Sequence, residues 1–386
     1  MRITDVRTTI VSIPFKKPEI WSMGRRVGVS NVIIEVETDT GLTGLGESIG
    51  FPSCDVIKPI IDSWKDTLIG EDPLRTESLR HRLEVQGGWQ HFDHTGNVAL
   101  AGVDIALWDL VGKAAGLPLY VLFGGLVRDT MSFMYFLPRG PIKEMTAQAA
   151  KGVKEGWETI YIKVGVDIEE EIEVVRAIRK SVGPRPKIRV DANEAWRRYE
   201  ALRFIRAVEP YGIEFFEQPI LKEDFDGLKW LRSMTSVPIA ANQSSWTEQD
   251  ILKLIRQEAA DIMLLDPWQI GGLARFARAA WMAQVAGVAA VKHSWCELGI
   301  GTYAAMHTMA ASANFPMANQ AYPEYLSGDV CKGDLFHFCK GCLSIPHGPG
   351  IGVELDRRKL EKYARVYQQE GEFFAYAPHE GQKKRA

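Results

Sequence analysis

The chain has 386 residues, 46% hydrophobic and 25% charged, which is ample apolar material for a large core and, by length, for two domains. Its formal net charge of -3 gives no electrostatic reason to expect nucleic acid or an anionic membrane as partner, and metabolite chemistry is the better prior. No stretch approaches the roughly 20 apolar residues that cross a bilayer, so the expectation is a soluble cytoplasmic protein. Five cysteines, an odd number spread over a long chain, argue against a disulfide framework. Cys339 and Cys342 form a CxxC, but with no second pair and no strand-helix redox context it reads as chance spacing.

"MRITDVRTTIVSIPF" alternates polar and apolar side chains, and "SNVIIEVET" follows as a second strand. "GLTGLGES" punctuates them with Gly41, Gly44 and Gly46. A nucleotide-binding loop would open a helix; strands surround these glycines, and a hairpin turn accounts for them. From about Val56 to about Leu122 the period becomes helical, ending in "NVALAGVDIALWDLVGKAAG", an amphipathic helix with Gly116 and Pro118 as stop signals. Lys383, Lys384 and Arg385 close the chain as a short basic tail that reads as a frayed end.

From about Met131 short apolar strands alternate with helical runs: "MSFMYFL", "TIYIKV", "KIRVDA", "IEFFEQ", "PIAANQ", "ADIMLLD", "VAAVKHS" and "PMANQA". Such units, with nearly continuous apolar strands, predict an α/β fold built on a parallel TIM-type β/α barrel. An open doubly wound sheet is the alternative, weakened because no glycine-rich phosphate loop opens it.

In a barrel the C-terminal strand ends share one face. Those ends carry Tyr161 and Lys163, Asp191 and Asn193, Glu217, Asn242 and Gln243, Asp266, His293, and finally Asn319 and Gln320. Asp191 and Glu217 are hard oxygen donors whose charges balance one cation of the Mg²⁺ type, with a carbonyl oxygen of Asn242 or Gln243 as third ligand. Any one of them alone reads as the cap of a βα turn. Oxygen donors at matching depth on consecutive strands favour the metal.

Lys163, partly buried beside a cation, suits a base, although a lone strand-end lysine is more often a solvated flank. Asp266 and His293 end successive strands, so the carboxylate can fix one imidazole tautomer. An amine on one wall, an imidazole on the other and a cation between them suit removal of a proton next to a carboxylate. The expected partner is therefore a small carboxylate.

Around the mouth, "KKPEIWSMGRRVGVS" offers Trp21, Arg25 and Arg26, where either arginine could meet a distal carboxylate or stay solvated. "GESIGFPSCD" is a second closing loop, and "GGWQHFDHTG" adds Trp89, His91, Phe92 and His94. Trp268 and Trp295 follow the sixth and seventh strand ends and read equally as packing residues.

Together these residues resemble the enolase superfamily, in its mandelate-racemase-like branch. The likeness rests on the "GVDIALWDLVGKAAGLPLYVLFGG" bridge and the "VDAN", "FEQP" and "DPWQIGG" strand ends. It implies an N-terminal α+β capping domain over 1–125, a barrel over 126–325 and a segment over 326–386 that returns to the cap, in a dimer or octamer. It also implies Mg²⁺ on Asp191, Glu217 and Asn242, and Lys163 and Asp266-supported His293 as acid/base groups. Asp266, where the muconate-cycloisomerase-like branch has lysine, separates the chain from that branch.

Three positions depart from the family pattern. Tyr161 stands where a lysine usually helps bind the substrate carboxylate, the third ligand is an amide, and Asn319 and Gln320 replace a glutamate. The amide ligand leaves the cation more electrophilic, which offsets part of the lost positive charge. Asn193, Asn319, Tyr161, Trp21 and Arg25 are the expected substrate contacts. The family's Lys plus His/Asp set points to dehydration of a sugar acid, with racemisation or cycloisomerisation as alternatives. An idle ligand-binding barrel and a metal-dependent hydrolase are readings from other classes, the latter weakened because only the seventh strand end offers a histidine.

Overall fold

The computed structural model describes residues 1–86, 88 and 92–373. Trp89, His91, Lys383, Lys384 and Arg385 lie outside the described residues. Strands β1 (Ile3–Trp21), β2 (Gly24–Thr38) and β3 (Thr43–Ile49) form an antiparallel sheet in the order β1-β2-β3. Register is regular from Val6↔Val36 to Pro14↔Gly28 and then slips before Glu19↔Arg26. That irregularity re-aims the ends of β1 and β2.

The helix Asp93–Ala115 lies on this sheet. It is buried on nearly every side, not amphipathic as the sequence suggests, because the sheet covers one flank and barrel helices the other. Its close approach explains two of the three glycines assigned above to a turn. Gly41 has φ +81 and belongs to the turn, but a Cβ on Gly44 or Gly46 would meet the carbonyl oxygens of Ala106 or Gly102 at 2.2 and 2.1 Å.

Among the described residues seven parallel strands follow: β5 (Tyr135–Leu137), β6 (Thr159–Lys163), β7 (Lys187–Asp191), β8 (Ile213–Glu217), β9 (Ile239–Ala241), β10 (Ile262–Leu265) and β11 (Ala289–Lys292). The expected first strand is broken, since β4 (Thr130–Ser132) pairs instead with β12 (Cys342–Ser344) and only β5 joins the parallel sheet. The expected eighth strand is reduced to a bridge. Asn319 N–H donates to the Ser132 carbonyl (2.8 Å), the Asn319 carbonyl accepts from Met134 N–H (2.9 Å) and Gln320 N–H donates to the Lys292 carbonyl (2.9 Å). These bonds join β11 to the start of β5 and close the barrel.

Strand alternation sorts the side chains. Phe215, Ala240, Ile262, Leu264 and Val291 form one cluster, while their neighbours Phe216, Ile239, Ala241, Met263, Leu265 and Ala290 belong to the main core. Continuing the first set by steps of two along each strand reaches Glu217, Asn242, Asp266 and His293, and the same count from Tyr161 and Arg189 reaches Lys163 and Asp191. The alternation that packs the barrel therefore also delivers the polar groups to its mouth.

Buried carboxylates lock the sheet layer to the barrel. Glu47 accepts N–H bonds from Leu298 (2.7 Å) and Gly301 (2.8 Å) at the start of helix Gly299–Ala310, and from Asn31 Nδ2 (2.8 Å). Asp104 accepts from Leu273 N–H (2.7 Å) at the start of helix Leu273–Val285. Both cap helix N-termini, where unpaired N–H groups favour negative charge. After the barrel the chain runs back along β1, with Phe15 bridged to Leu326, and Arg357 of the helix Arg357–Glu370 pairs with Glu35. Among the described residues no helix is long and apolar enough to cross a membrane.

Burial pushes the Glu47 carboxyl up to about 8, against the pull of its N–H donors. An acid raised in the folded state ionises first in the unfolded chain, so its contribution to stability falls as pH climbs from the ordinary glutamate range through 8. Glu47→Gln should cost ~1–3 kcal/mol by setting an amide against backbone donors, and should flatten the decline. Urea unfolding from pH 5 to 8.5 checks this: parallel curves for the two proteins would show that Glu47 does not carry the slope.

Candidate active site

Asp191 and Glu217 are paired in register across β7 and β8, and both are fully buried. Asp191 Oδ2 accepts from Tyr161 OH (2.5 Å) and Lys163 Nζ (2.6 Å), while its Oδ1 accepts from Asn193 N–H (2.8 Å). Lys163 also donates to Asn193 Oδ1 (2.9 Å). Glu217 Oε2 accepts from Gln320 Nε2 (2.7 Å), but its Oε1 is buried with no hydrogen-bond partner. The Oδ1 and Nδ2 of Asn242 are in the same condition. Burial, and then the charge of Asp191, hold the Glu217 carboxyl well above the usual carboxylate range.

This is a local excess of buried oxygen donors and negative charge, which a hard divalent cation relieves. The donor set of Asp191, Glu217 and Asn242 could hold one. Among the described residues no group of three His, Cys, Asp or Glu could hold a metal ion, and this set differs in being two carboxylates and an amide. Gln243 also has an unpartnered buried Oε1, but it lies on the cavity wall beyond Asn242.

A cavity of about 240 Å³ opens above these strand ends, with Lys163, Asn193 and His293 in its wall. Counting round the barrel, the staves of Lys163 and His293 are separated by three steps one way and five the other. His293 Nδ1 faces Asp266 Oδ2 at 3.1 Å, and Asp266 Oδ1 accepts the N–H groups of Trp268 (2.7 Å) and Gln269 (3.2 Å). Burial, reinforced by the Lys163 and Lys292 cations, lowers His293 to about 3. Burial pushes Asp266 up to about 7. An imidazole that turns its Nδ1–H to Asp266 leaves Nε2 with a lone pair.

The loops that follow the strands are fixed by buried polar contacts. Gln218 Oε1 accepts from the N–H groups of Asn242 (2.9 Å) and Ser244 (3.1 Å), which holds the turn after β9. Lys292 and Glu297 form a buried ion pair flanking His293, and Glu297 also accepts from Ser294 Oγ (2.8 Å). Asn193 (φ 44), Glu194 (φ 64), Gln218 (φ 33) and Cys296 (φ 66) are non-glycine residues with left-handed backbone in these loops. Backbone strain gathers where side chains must be aimed.

The sheet layer supplies the roof. Trp21, Met23, Arg26 and Phe51 line the cavity, facing Trp246 and Trp295. Phe51 and Trp295 have ring centroids 4.8 Å apart, Trp246 lies 5.7 Å from Phe51 and 6.0 Å from Trp295, and His94 packs on Trp246 at 4.5 Å. The "GGWQHFDHTG" segment therefore reaches the rim through His94.

Several expected contacts are elsewhere. Arg25 is exposed and does not line the cavity; Arg26 does, with its Nε 2.6 Å from Glu19 Oε2 and its guanidinium 5.1 Å from the Trp21 ring. Asn319 does not reach the cavity, because its Oδ1 accepts from Lys292 N–H (2.8 Å) and its Nδ2 is taken up by the Ser132 and Met317 carbonyls in closing the barrel. Tyr161 is fully buried, gives its hydroxyl to Asp191 and does not line the cavity. Trp268 is a packing residue whose Nε1–H donates to the Glu47 carbonyl (2.7 Å). Phe51, Trp246 and Lys222 are cavity residues the sequence reading did not single out. For Trp246 a signal existed, since it lies four residues beyond Asn242 in a strand-end loop.

Comparison with known proteins agrees along most of the length. The family model described as mandelate racemase / muconate lactonizing enzyme, N-terminal domain, matches residues 3–124, and the one described as enolase C-terminal domain-like matches 144–359. The chain is 33% identical over 363 residues to the L-Ala-D/L-Glu epimerase of Bacillus subtilis (strain 168), covering 92% of this chain and 97% of that protein. It is 31% identical over 340 residues to an arabinonate dehydratase of Saccharolobus solfataricus, covering 86% and 90%. The dipeptide epimerase from Enterococcus faecalis V583, solved with Mg and the dipeptide L-Leu-L-Tyr, superposes with a TM-score of 0.86 at 29% identity over 92% of this chain and 100% of that one. The protein belongs to the mandelate racemase / muconate lactonizing enzyme group of the enolase superfamily.

Proposed function

We propose that the protein removes the proton alpha to the carboxylate of a small substrate and returns a proton to the opposite face, giving the epimer. The observation that carries this reading is that Lys163 and His293 line one cavity from well-separated staves. Asp191, Glu217 and Asn242 would hold Mg²⁺, which when bound supplies the positive charge that offsets the negative charge growing on the substrate carboxylate. Lys163 takes or gives the proton on one face, oriented by Asp191 and Asn193. His293 serves the other face through Nε2, its ring held by Asp266. Trp21, Phe51, Trp246 and Trp295 exclude water from the carbanion.

Sequence alone ranks dehydration of a sugar acid first. We place epimerisation first, because Trp21, Phe51, Trp246 and Trp295 give this wall an aromatic side that a polyol would not use. The substrate class we infer is a carboxylate whose α-substituent has an apolar part, with Arg26 and Lys222 meeting its polar end. Dehydration stands as the second reading on the likeness to the arabinonate dehydratase and on Asn193, Lys222 and Ser294, which offer hydrogen bonds to a hydroxylated chain.

Lys163→Ala and His293→Asn should each lower turnover by ~10²–10⁴-fold with the fold intact. In deuterated water with Mg²⁺, each variant should still exchange the α-proton of the enantiomer facing its remaining group, and not the other. Epimerisation at the full rate by either variant would remove that residue from the mechanism, and an NMR signal of a 2-keto-3-deoxy product in the unaltered protein would favour dehydration. Asp191→Asn should weaken Mg²⁺ binding at least ~10-fold by calorimetry, in line with the cost of disturbing metal ligation; unchanged affinity would place the cation elsewhere.

A further inference from the structure

Cys339 and Cys342 play no part in the chemistry above, and their spacing taken alone reads as chance. The structure makes them neighbours. Cys339 N–H donates to the Cys342 carbonyl (2.9 Å) and Cys342 N–H to the Cys339 carbonyl (3.0 Å), so the two residues sit directly opposite each other as a hydrogen-bonded antiparallel pair. Between them Lys340 has φ 50 and Gly341 has φ 75, both left-handed. Two such residues make the tight two-residue hairpin turn of the I′ kind. In a hydrogen-bonded pair the Cα atoms stand about 5.5 Å apart, inside the about 4.4–6.8 Å span of disulfides.

We propose that Cys339 and Cys342 are a reversible dithiol/disulfide site, closed across the hairpin by a small-molecule disulfide of the glutathione type. Cys339 is exposed and Cys342 partly buried, so Cys339 is the entry point. Its thiolate attacks one sulfur of the oxidant and expels a thiolate. Cys342 then attacks the Cys339 sulfur of this mixed disulfide and expels the second thiolate. The protein loses two thiol protons and two electrons, and the oxidant is reduced to two thiols.

The closed form is labile by construction. Directly opposed Cβ atoms lie about 4.5–5.5 Å apart, whereas a disulfide needs about 3.5–4.5 Å, so closing pulls the pair together against the hairpin's hydrogen bonds. Strained and exposed disulfides are the readily reduced ones. The other cysteines, Cys54, Cys296 and Cys331, are buried away from any oxidant in solution. They do not compete. The pair also has a mechanical link to the barrel. The Gly341 carbonyl inside the turn accepts Phe133 N–H (2.8 Å), and Phe133 bridges Asn319 at the barrel closure.

The test incubates the full-length protein with oxidised glutathione, blocks remaining thiols with N-ethylmaleimide after acid quench, and maps the peptides by mass spectrometry. The expected product is an internal Cys339–Cys342 disulfide without bound glutathione, reopened by a roughly tenfold excess of reduced glutathione. Cys342→Ser should instead stop at a glutathione adduct on Cys339. A wild-type protein that accumulates the adduct on Cys339, or keeps both thiols free under the same conditions, overturns the proposal. So does a disulfide joining either residue to a buried cysteine.

Discussion

Burying two carboxylates side by side is unfavourable by several kcal/mol each unless positive charge or donors surround them. Asp191 and Glu217 are in that position, paired in register at the ends of adjacent strands. What surrounds them follows from the need to compensate. Lys163 and Tyr161 turn to Asp191, Gln320 turns to Glu217, and an oxygen of Glu217 together with the amide of Asn242 remains without a partner. A divalent cation would complete the balance, and by binding a substrate carboxylate there it would bring the α-carbon between Lys163 and His293.

The division of labour follows from topology. On the proposed reading chemistry comes from strand ends, whose alternation is enforced by packing inside and outside the barrel. On the same reading selectivity would come from the N-terminal sheet layer, which contributes Trp21, Arg26 and Phe51 to the same cavity. Such an arrangement works only if the layer is held firmly over the mouth. Glu47 and Asp104 do this by capping barrel helices from outside the barrel, a contact whose strength depends on both pieces being folded.

The strand-end set was legible in the sequence because period-two alternation and the C-terminal rule act on each strand separately. "VDAN" and "FEQP" carry their acids at the last step whatever the rest of the chain does. Arg25 and Arg26 were not separable for a physical reason. Residues Val29 to Val36 are buried on both faces of β2, so alternation carries no phase down to the arginines, and the slip between Pro14 and Glu19 disturbs it further. Asn319 was misread because a polar residue at a strand end can equally close the barrel, and its amide is consumed by Lys292, Ser132 and Met317. The aromatic roof depends on contacts between distant segments, which no local period encodes. Cys339 and Cys342 show the same limit, since only the hairpin puts them opposite each other.

The most direct measurement is anomalous X-ray scattering from crystals of the protein grown with Mn²⁺ in place of Mg²⁺. The account predicts one strong peak bounded by Asp191, Glu217 and Asn242, lost in Glu217→Gln. A protein that binds no ion there, or binds it only at another place, would contradict it.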